Sequence, residues 1–319
     1  MSRVPGPRPS LAVVGDVLVD VAVRAEALAR GGDVPGSVRI RAGGAGANAS
    51  AWAAFAGAET VLYARVGDDP AGDLLERLLA RAGVRSRLAR DPAVATGAML
   101  VVAEAGERSM VADRGANAHL APADLPERLV ADAVLVSAYG LFDPGSEPSA
   151  RAALARADAP HVAVDAASWP LVEAYGAGRF LEATAGATVL LANGREAEAL
   201  TGARREAAAR ALAAHYPIAC VKLGSAGALV AEGSSVLHEP AAPGVEVDPT
   251  GAGDAFDAAF LVVLASGGSV AGALRAGCRA GALAVSRLEA WPPERRTGPG
   301  SARPGRPGAG GVGRRGMRG

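Results

Sequence analysis

A chain of 319 residues, 50% of them hydrophobic, can bury a substantial core as one large α/β domain or two smaller ones. Basic and acidic residues number 33 each, so the formal charge is zero and nothing favours nucleic acid or an anionic membrane as a general partner. No apolar run approaches the ~20 residues of a membrane span, residues 1–10 lack the apolar core of a signal peptide, and Cys220 and Cys278 lack metal-ligand spacing. A cytoplasmic protein with free thiols is expected.

In chain order, residues 1–10 are expected to be flexible, and 11–15 form a short apolar run suited to a buried strand. Residues 21–24 and 37–41 alternate apolar and polar, as half-exposed strands do. An alanine-rich helix over 47–56, a strand over 60–66 and an amphipathic helix over 72–82, with Leu74, Leu75, Leu78 and Leu79 on one face, follow. Residues 98–103 and 109–113 flank a hairpin turn at Ala105-Gly106-Glu107. Short apolar strands at 133–137, 162–165, 189–192 and 219–223 are separated by helical stretches, which argues for parallel strands with helices on both faces. The half-exposed strands suit a small separate β-layer. Residues 294–319 hold seven arginines, nine glycines and a single acid, about +6 in charge, and are expected to be disordered. As an Arg/Gly-rich nucleic-acid arm this tail lacks aromatic residues to stack on bases; a shifted reading frame in GC-rich DNA accounts for it as well as any function.

The most informative stretch is Asp248-Pro249-Thr250-Gly251-Ala252-Gly253-Asp254-Ala255-Phe256, running into apolar residues of helical length. The amides of Gly251, Ala252 and Gly253 stand where a helix start leaves donors unsatisfied and its dipole is positive, which makes an anion site. Asp254 beside it is a candidate proton acceptor. An ordinary turn followed by an ordinary helix cap reads the same way. Upstream, Gly43-Gly44-Ala45-Gly46-Ala47-Asn48 opens the alanine-rich helix, either as a close-packing turn or as a ligand site. A dinucleotide fold is disfavoured, because the preceding strand is polar and no third glycine falls in place. The single lysine, Lys222, follows valine rather than glycine, which excludes a P-loop, and the four histidines show no triad or zinc pattern.

In eight of nine positions residues 248–256 resemble the signature Asp-Thr-Thr-Gly-Ala-Gly-Asp-Ala-Phe of the ribokinase-like (PfkB) carbohydrate kinase family, with Pro249 in place of Thr. Residues 43–48 resemble its Gly-Gly-x-x-x-Asn motif, and 66–72 its Val-Gly-Asp-Asp-x-x-Gly. The resemblance spans residues 11–293. It implies a three-layer αβα sandwich with a mostly parallel sheet and a β lid built from about 21–24, 37–42 and 97–114. It also implies an ATP- and Mg²⁺-dependent kinase acting on a sugar or nucleoside, with Asp254 as base and Gly251, Ala252 and Gly253 as anion hole. Asp20 matches the acid that clamps two neighbouring hydroxyls, a task suited to an acceptor-only carboxylate. Gly43, Gly44, Asn48 and Asn117 would face the acceptor. Asn193, Gly224, Gly227 and Thr250 would line the nucleotide, and Lys222 would reach a phosphate or decorate a strand end. Glu196 would organise Mg²⁺ through water. Asp248 marks a monovalent-cation position, although Glu289 and Pro293 stand where the family's namesake has Gly and Ser, which argues against potassium dependence. Relatives often dimerise through the lid. Leu18 replaces the namesake's Asn, and nucleoside kinases have an apolar residue there. A catalytically idle relative, with Pro249 as its symptom, and an NAD-dependent oxidoreductase are the rival readings.

Overall fold

The computed structural model describes residues 7–27, 29, 31–104, 107–287 and 290–293. The expected tail, the hairpin residues Ala105 and Gly106, and Glu289 lie outside them.

Strand β1 (Ser10–Val14) leads through Gly15 into β2 (Leu18–Ala25) and β3 (Gly36–Gly43). Helix α1 (Ala45–Ala56), β4 (Glu59–Gly67), α2 (Pro70–Arg81) and β5 (Val84–Asp91) follow. Then come β6 (Thr96–Glu104), β7 (Glu107–Gly115), the two-residue β8 (Leu129–Val130), β9 (Ala133–Ser137), α3 (Glu147–Arg156), β10 (Ala157–Asp158) and β11 (His161–Asp165). The second half holds α4 (Trp169–Tyr175), α5 (Ala177–Ala183), β12 (Val189–Asn193), α6 (Gly194–Thr201), α7 (Arg205–Leu212) and β13 (Ile218–Lys222). It closes with the hairpin β14 (Ala228–Glu232) and β15 (Ser235–Glu239), then α8 (Ala252–Ala265) and α9 (Val270–Val285).

Nine strands form the central sheet in the order β15-β14-β13-β12-β11-β9-β1-β4-β5. Every pair from β13 to β5 is parallel, and only the β13–β14 and β14–β15 pairs at one edge are antiparallel. The parallel strands are short, apolar and covered on both faces, as such sheets must be. Leu11 and Val13 of β1 pack into one helical layer with Trp52, Phe256 and Leu274, while Ala12 and Val14 pack into the other with Leu154, Phe180 and Leu212. Each fully buried Leu or Phe contributes about 1.5–3 kcal/mol, so this alternation along one strand ties three layers together. Two elements escape sequence patterning. Strand β5 reads as polar because it is an edge strand bearing Arg85 and Arg87, which blunt edge-to-edge pairing. The β14–β15 hairpin follows a glycine turn with little periodicity.

A second sheet, ordered β3-β2-β6-β7, stands apart as the lid. It is mixed rather than purely antiparallel, since β2 and β6 run parallel between two antiparallel pairs. Among the described residues no helix is long and apolar enough to cross a membrane.

Candidate active site

The site is assembled at the carboxyl ends of the parallel strands, the side on which open α/β sheets form a crevice where the strand order reverses. Helix α8 aims its first turn there. Gly251 is its cap residue, at φ +77°, a conformation that favours glycine, and a Cβ added at Gly251 would sit 2.8 Å from the Cβ of Ala290. The Ala252 amide donates to Pro249 O at 3.3 Å, and Ala255 makes the first intrahelical bond, to Gly251 O at 2.9 Å. Of the expected set only the Ala252 amide is taken; those of Gly251 and Gly253, and that of Asp254 beyond them, have no hydrogen bond among the described residues. Pro249 uses only its carbonyl, so the replacement of Thr removes no donor that this geometry employs.

Asp254 is half-buried in the first turn of α8 and accepts a 2.8 Å hydrogen bond from Asn48 Nδ2. Burial pushes its carboxyl up to about 7, with Asp165 pushing the same way, while the Asn48 bond and Lys222 pull it down. Asn48 sits on α1, which Gly44 caps at φ +94°. Its other amide atom, Oδ1, is buried and accepts no hydrogen bond. The same holds for Oδ1 of Asp20 on β2, whose carboxyl burial lifts to about 6 against the pull of Arg41. Asn48→Ala removes a bond that favours ionised Asp254 and is expected to move the acidic limb of the kcat/KM profile up by about one pH unit. An unchanged limb would separate Asn48 from the ionisation of Asp254.

Gly43 lies against Asp20: a Cβ added there would overlap the Asp20 carboxyl group. Gly43→Ala is therefore expected to turn that carboxylate and raise the acceptor KM by about tenfold, leaving the KM for ATP in place. Equal changes in both constants would contradict this.

Beneath the helix turn lies an ion cluster that the sequence does not announce. Lys222, at the end of β13, donates from Nζ to Asp165 Oδ1 at 3.1 Å and to both oxygens of Asp257 at 2.8 and 2.9 Å. Burial works against the ammonium, yet Asp165 and Asp257 outweigh it and hold its pKa well above the usual value. Lys222 thus neither projects as a free phosphate arm nor decorates a strand end; a Cβ added at Gly253 would sit 3.5 Å from its Nζ, directly under the open amides. Asp165 could have been found as a carboxylate ending a parallel strand, and Asp257 as the acid one turn beyond Asp254 on α8.

Glu196 is buried in the first turn of α6, accepting from the Asn193 backbone at 2.7 Å and from Asn193 Nδ2. Asn193 Oδ1 in turn accepts from Arg195 N at 2.9 Å and Glu196 N at 3.0 Å. This reciprocal capping box makes Asn193 a helix cap, a different task from the nucleotide contact expected of it. Burial and the nearby Asp165 push Glu196 up to about 7. Asp165, Glu196, Asp254 and Asp257 thus surround a single ammonium. That excess of negative charge fits a Mg²⁺ ion arriving with nucleotide phosphates. No group of three or more His, Cys, Asp or Glu side chains among the described residues is arranged to hold a metal directly.

Asn117 is corrected more sharply. Its Nδ2 donates to Val17 O at 2.8 Å and Arg114 O at 3.0 Å, and its Oδ1 accepts from Val17 N at 3.0 Å, so it clamps backbone rather than facing a sugar. Asp16 is a buried partner of Arg114, through two bonds of 2.9 Å. Thr250 and Asp248 line a cavity under the lid, and the Thr250 amide donates to Asp248 Oδ1 at 2.9 Å. The turn after β13 uses Gly224 at φ +60° and Gly227 at φ +87°, and a Cβ at Gly227 would overlap the Glu239 carbonyl.

An αβα sandwich under a β lid, with a glycine-capped helix end beside a carboxyl group poised near neutrality, is built as a phosphotransferase with an alcohol acceptor. Comparison with known proteins narrows this: residues 8–295 match the pfkB family of carbohydrate kinases, and the chain belongs to that family. It is 30% identical over 285 residues to a ribokinase of Bacillus subtilis (strain 168), covering 86% of this chain and 92% of the relative. It is 33% identical over 279 residues to an ATP-dependent ribose-1-phosphate kinase of Halopiger xanaduensis, covering 86% and 90%. The solved structure of a probable sugar kinase from Rhizobium etli CFN 42 superposes with a TM-score of 0.80 at 23% identity, covering 89% of this chain and 95% of that one, a likeness that speaks for the fold alone. The chain is a carbohydrate kinase.

Proposed function

We propose that the chain is an ATP-dependent cytoplasmic kinase that phosphorylates a hydroxyl of a sugar or sugar-like substrate, with Asp254 as base. The observation that carries this reading is the pair of buried acceptors without donors, Asp20 Oδ1 and Asn48 Oδ1, the latter on the amide that holds the Asp254 carboxyl group and the former on an acid close enough to raise it. A buried acceptor left unpaired costs about 1–3 kcal/mol, and a ligand rich in hydroxyls supplies donors to both.

Asp254 takes the proton of the acceptor hydroxyl as that oxygen bonds to the γ-phosphorus of ATP; the bond from this phosphorus to the β–γ bridging oxygen breaks, and ADP leaves. The Gly253 and Asp254 amides, backed by charged Lys222, meet the negative charge of the transferring group. Glu196 would hold Mg²⁺ through water, and the ion would supply positive charge against the nucleotide phosphates. The Gly224–Gly227 turn supports the nucleotide. Asp248 would be the residue to hold a monovalent cation. Lid closure over Asp20 excludes water. The outer lid face exposes Val38, Ile40 and Val111, which suits a homodimer through the lid. A nucleoside acceptor is the second reading, favoured by Leu18, an apolar side chain on the same face of β2 as Asp20.

An ADP-coupled assay across pentoses, hexoses and nucleosides tests the proposal, with thermal shifts measured on the same panel. Turnover of a hydroxyl compound that depends on Asp254 is expected. Ligand-dependent shifts without ADP formation would establish an idle binding protein instead.

A further inference from the structure

Between the lid and the ends of α1 and α2 lies a cavity of 840 Å³, large enough for more than a bare monosaccharide. Asp20 stands at its inner end, with Ala51 and Phe55 of α1 on one wall. The charged side chains of its lining are Arg24, Arg39, Arg41 and Arg81 with Asp20 and Asp248.

The placement of the arginines follows from strand register. Asp20 pairs with Arg41, Ala22 with Arg39, and Arg24 with Ser37, so these side chains share one face of the β2–β3 ribbon. Each two-residue step along the ribbon advances about 7 Å. Moving out from the Asp20 carboxylate, the face therefore presents Arg41 beside it, Arg39 one step on, and Arg24 two steps on, with small Ala22 leaving room between. Arg81 joins from the end of α2. One further group points to a hydrogen-bond acceptor as ligand: the indole Nε1 of Trp291, in the same lining, is a buried donor without a partner.

We infer that the acceptor is a sugar already carrying an anionic group, a phosphosugar, whose phosphate is seated by Arg39 and Arg24 while its hydroxyls meet Asp20 and Asn48. This rests on the kinase reading above and names its substrate class. A neutral sugar would meet Asp20 and leave Arg24 and Arg39, both exposed, facing water. A phosphate sets charge-assisted bonds against planar, multi-donor groups that Lys could match only as point charges. The small Ala22 keeps the path from diol to phosphate open. The class of reaction that supplies such a substrate is one that leaves a phosphorylated sugar with a free hydroxyl, and the product is a bisphosphorylated sugar.

The test compares matched pairs, ribose with ribose 1-phosphate and 5-phosphate, and fructose with its 1- and 6-phosphates, by initial rates with ATP and by equilibrium binding without ATP. For the wild-type chain, kcat/KM or affinity for at least one phosphosugar should exceed that of its neutral partner by at least about tenfold, and the advantage should shrink as salt rises. Arg24→Glu/Arg39→Glu should abolish that preference, and Arg24→Lys/Arg39→Lys should restore part of it. Arg24 and Arg39 are exposed, so both variants are expected to fold, which thermal denaturation verifies. Neutral sugars used or bound as well as the phosphorylated ones, or a preference untouched by charge reversal, overturn the inference while leaving the kinase reading intact. Phosphosugar binding that depends on these arginines without any ADP formation supports the inference and sinks the kinase reading. Absence of both binding and turnover for every phosphosugar overturns the inference.

Discussion

Asp254→Asn is expected to lower kcat by about 10²–10⁴-fold, the range a positioned general base supplies, with the KM for ATP little changed. The amide keeps the shape of the carboxylate and its place beside Asn48, but it has no basic oxygen to take the acceptor's proton. The wild-type enzyme carries a second signature of the same group. Its carboxyl lies at about 7, raised chiefly by burial and by Asp165. The base works only when ionised, so kcat/KM should rise with pH through that value and level off above it. In Asp254→Asn the residual rate should lose this limb. A variant with near-normal turnover, or one that keeps the limb, removes Asp254 from the proton transfer.

Lys222→Met is expected to destabilise the fold by about 3–5 kcal/mol, because it leaves buried carboxylates without their counter-ion. Lys222 and Asp257 have side-chain exposures of only 12% and 1%, so solvent does little to screen the loss. In a chain of this size the melting temperature should fall by roughly 5–8 °C. The deficit should depend on pH in a definite sense. Without the ammonium, burial holds the Asp257 carboxyl above its unfolded value, so the destabilisation grows as pH rises above that value and shrinks in acid. Adding Asp257→Leu should return part of the lost stability by removing the stranded charge. Thermal melts at pH 5 and pH 8 decide the matter: a small, pH-independent change would mean that the cluster contributes little. Turnover should fall as well, since Lys222 helps to lower the Asp254 pKa.

Much of the fold is legible in local patterns. The apolar runs around residues 133–137, 162–165, 189–192 and 219–223 became β9, β11, β12 and β13, because a strand covered on both faces has no polar side to disguise it. The alternation at 21–24 and 37–41 marked the lid, since one face of β2 and β3 meets solvent. Strand β5 and the β14–β15 hairpin stayed hidden because edge strands are chosen for what they repel as much as for what they bury.

The chain's own residues determined the glycine-led start of α8, the carboxylate three residues beyond its cap, and the glycines that bring Asp20 and Asn48 close to backbone, because turn geometry and helix ends depend on near neighbours. Only the tertiary structure decided what those groups became. Asn117, 100 residues from Val17, was drawn into a backbone clamp; Lys222 was sunk between Asp165 and Asp257; Arg39 and Arg41 were turned to the same face as Asp20. A polar side chain's partner is set by whichever group shares its low-dielectric surroundings, and long-range packing chooses that group.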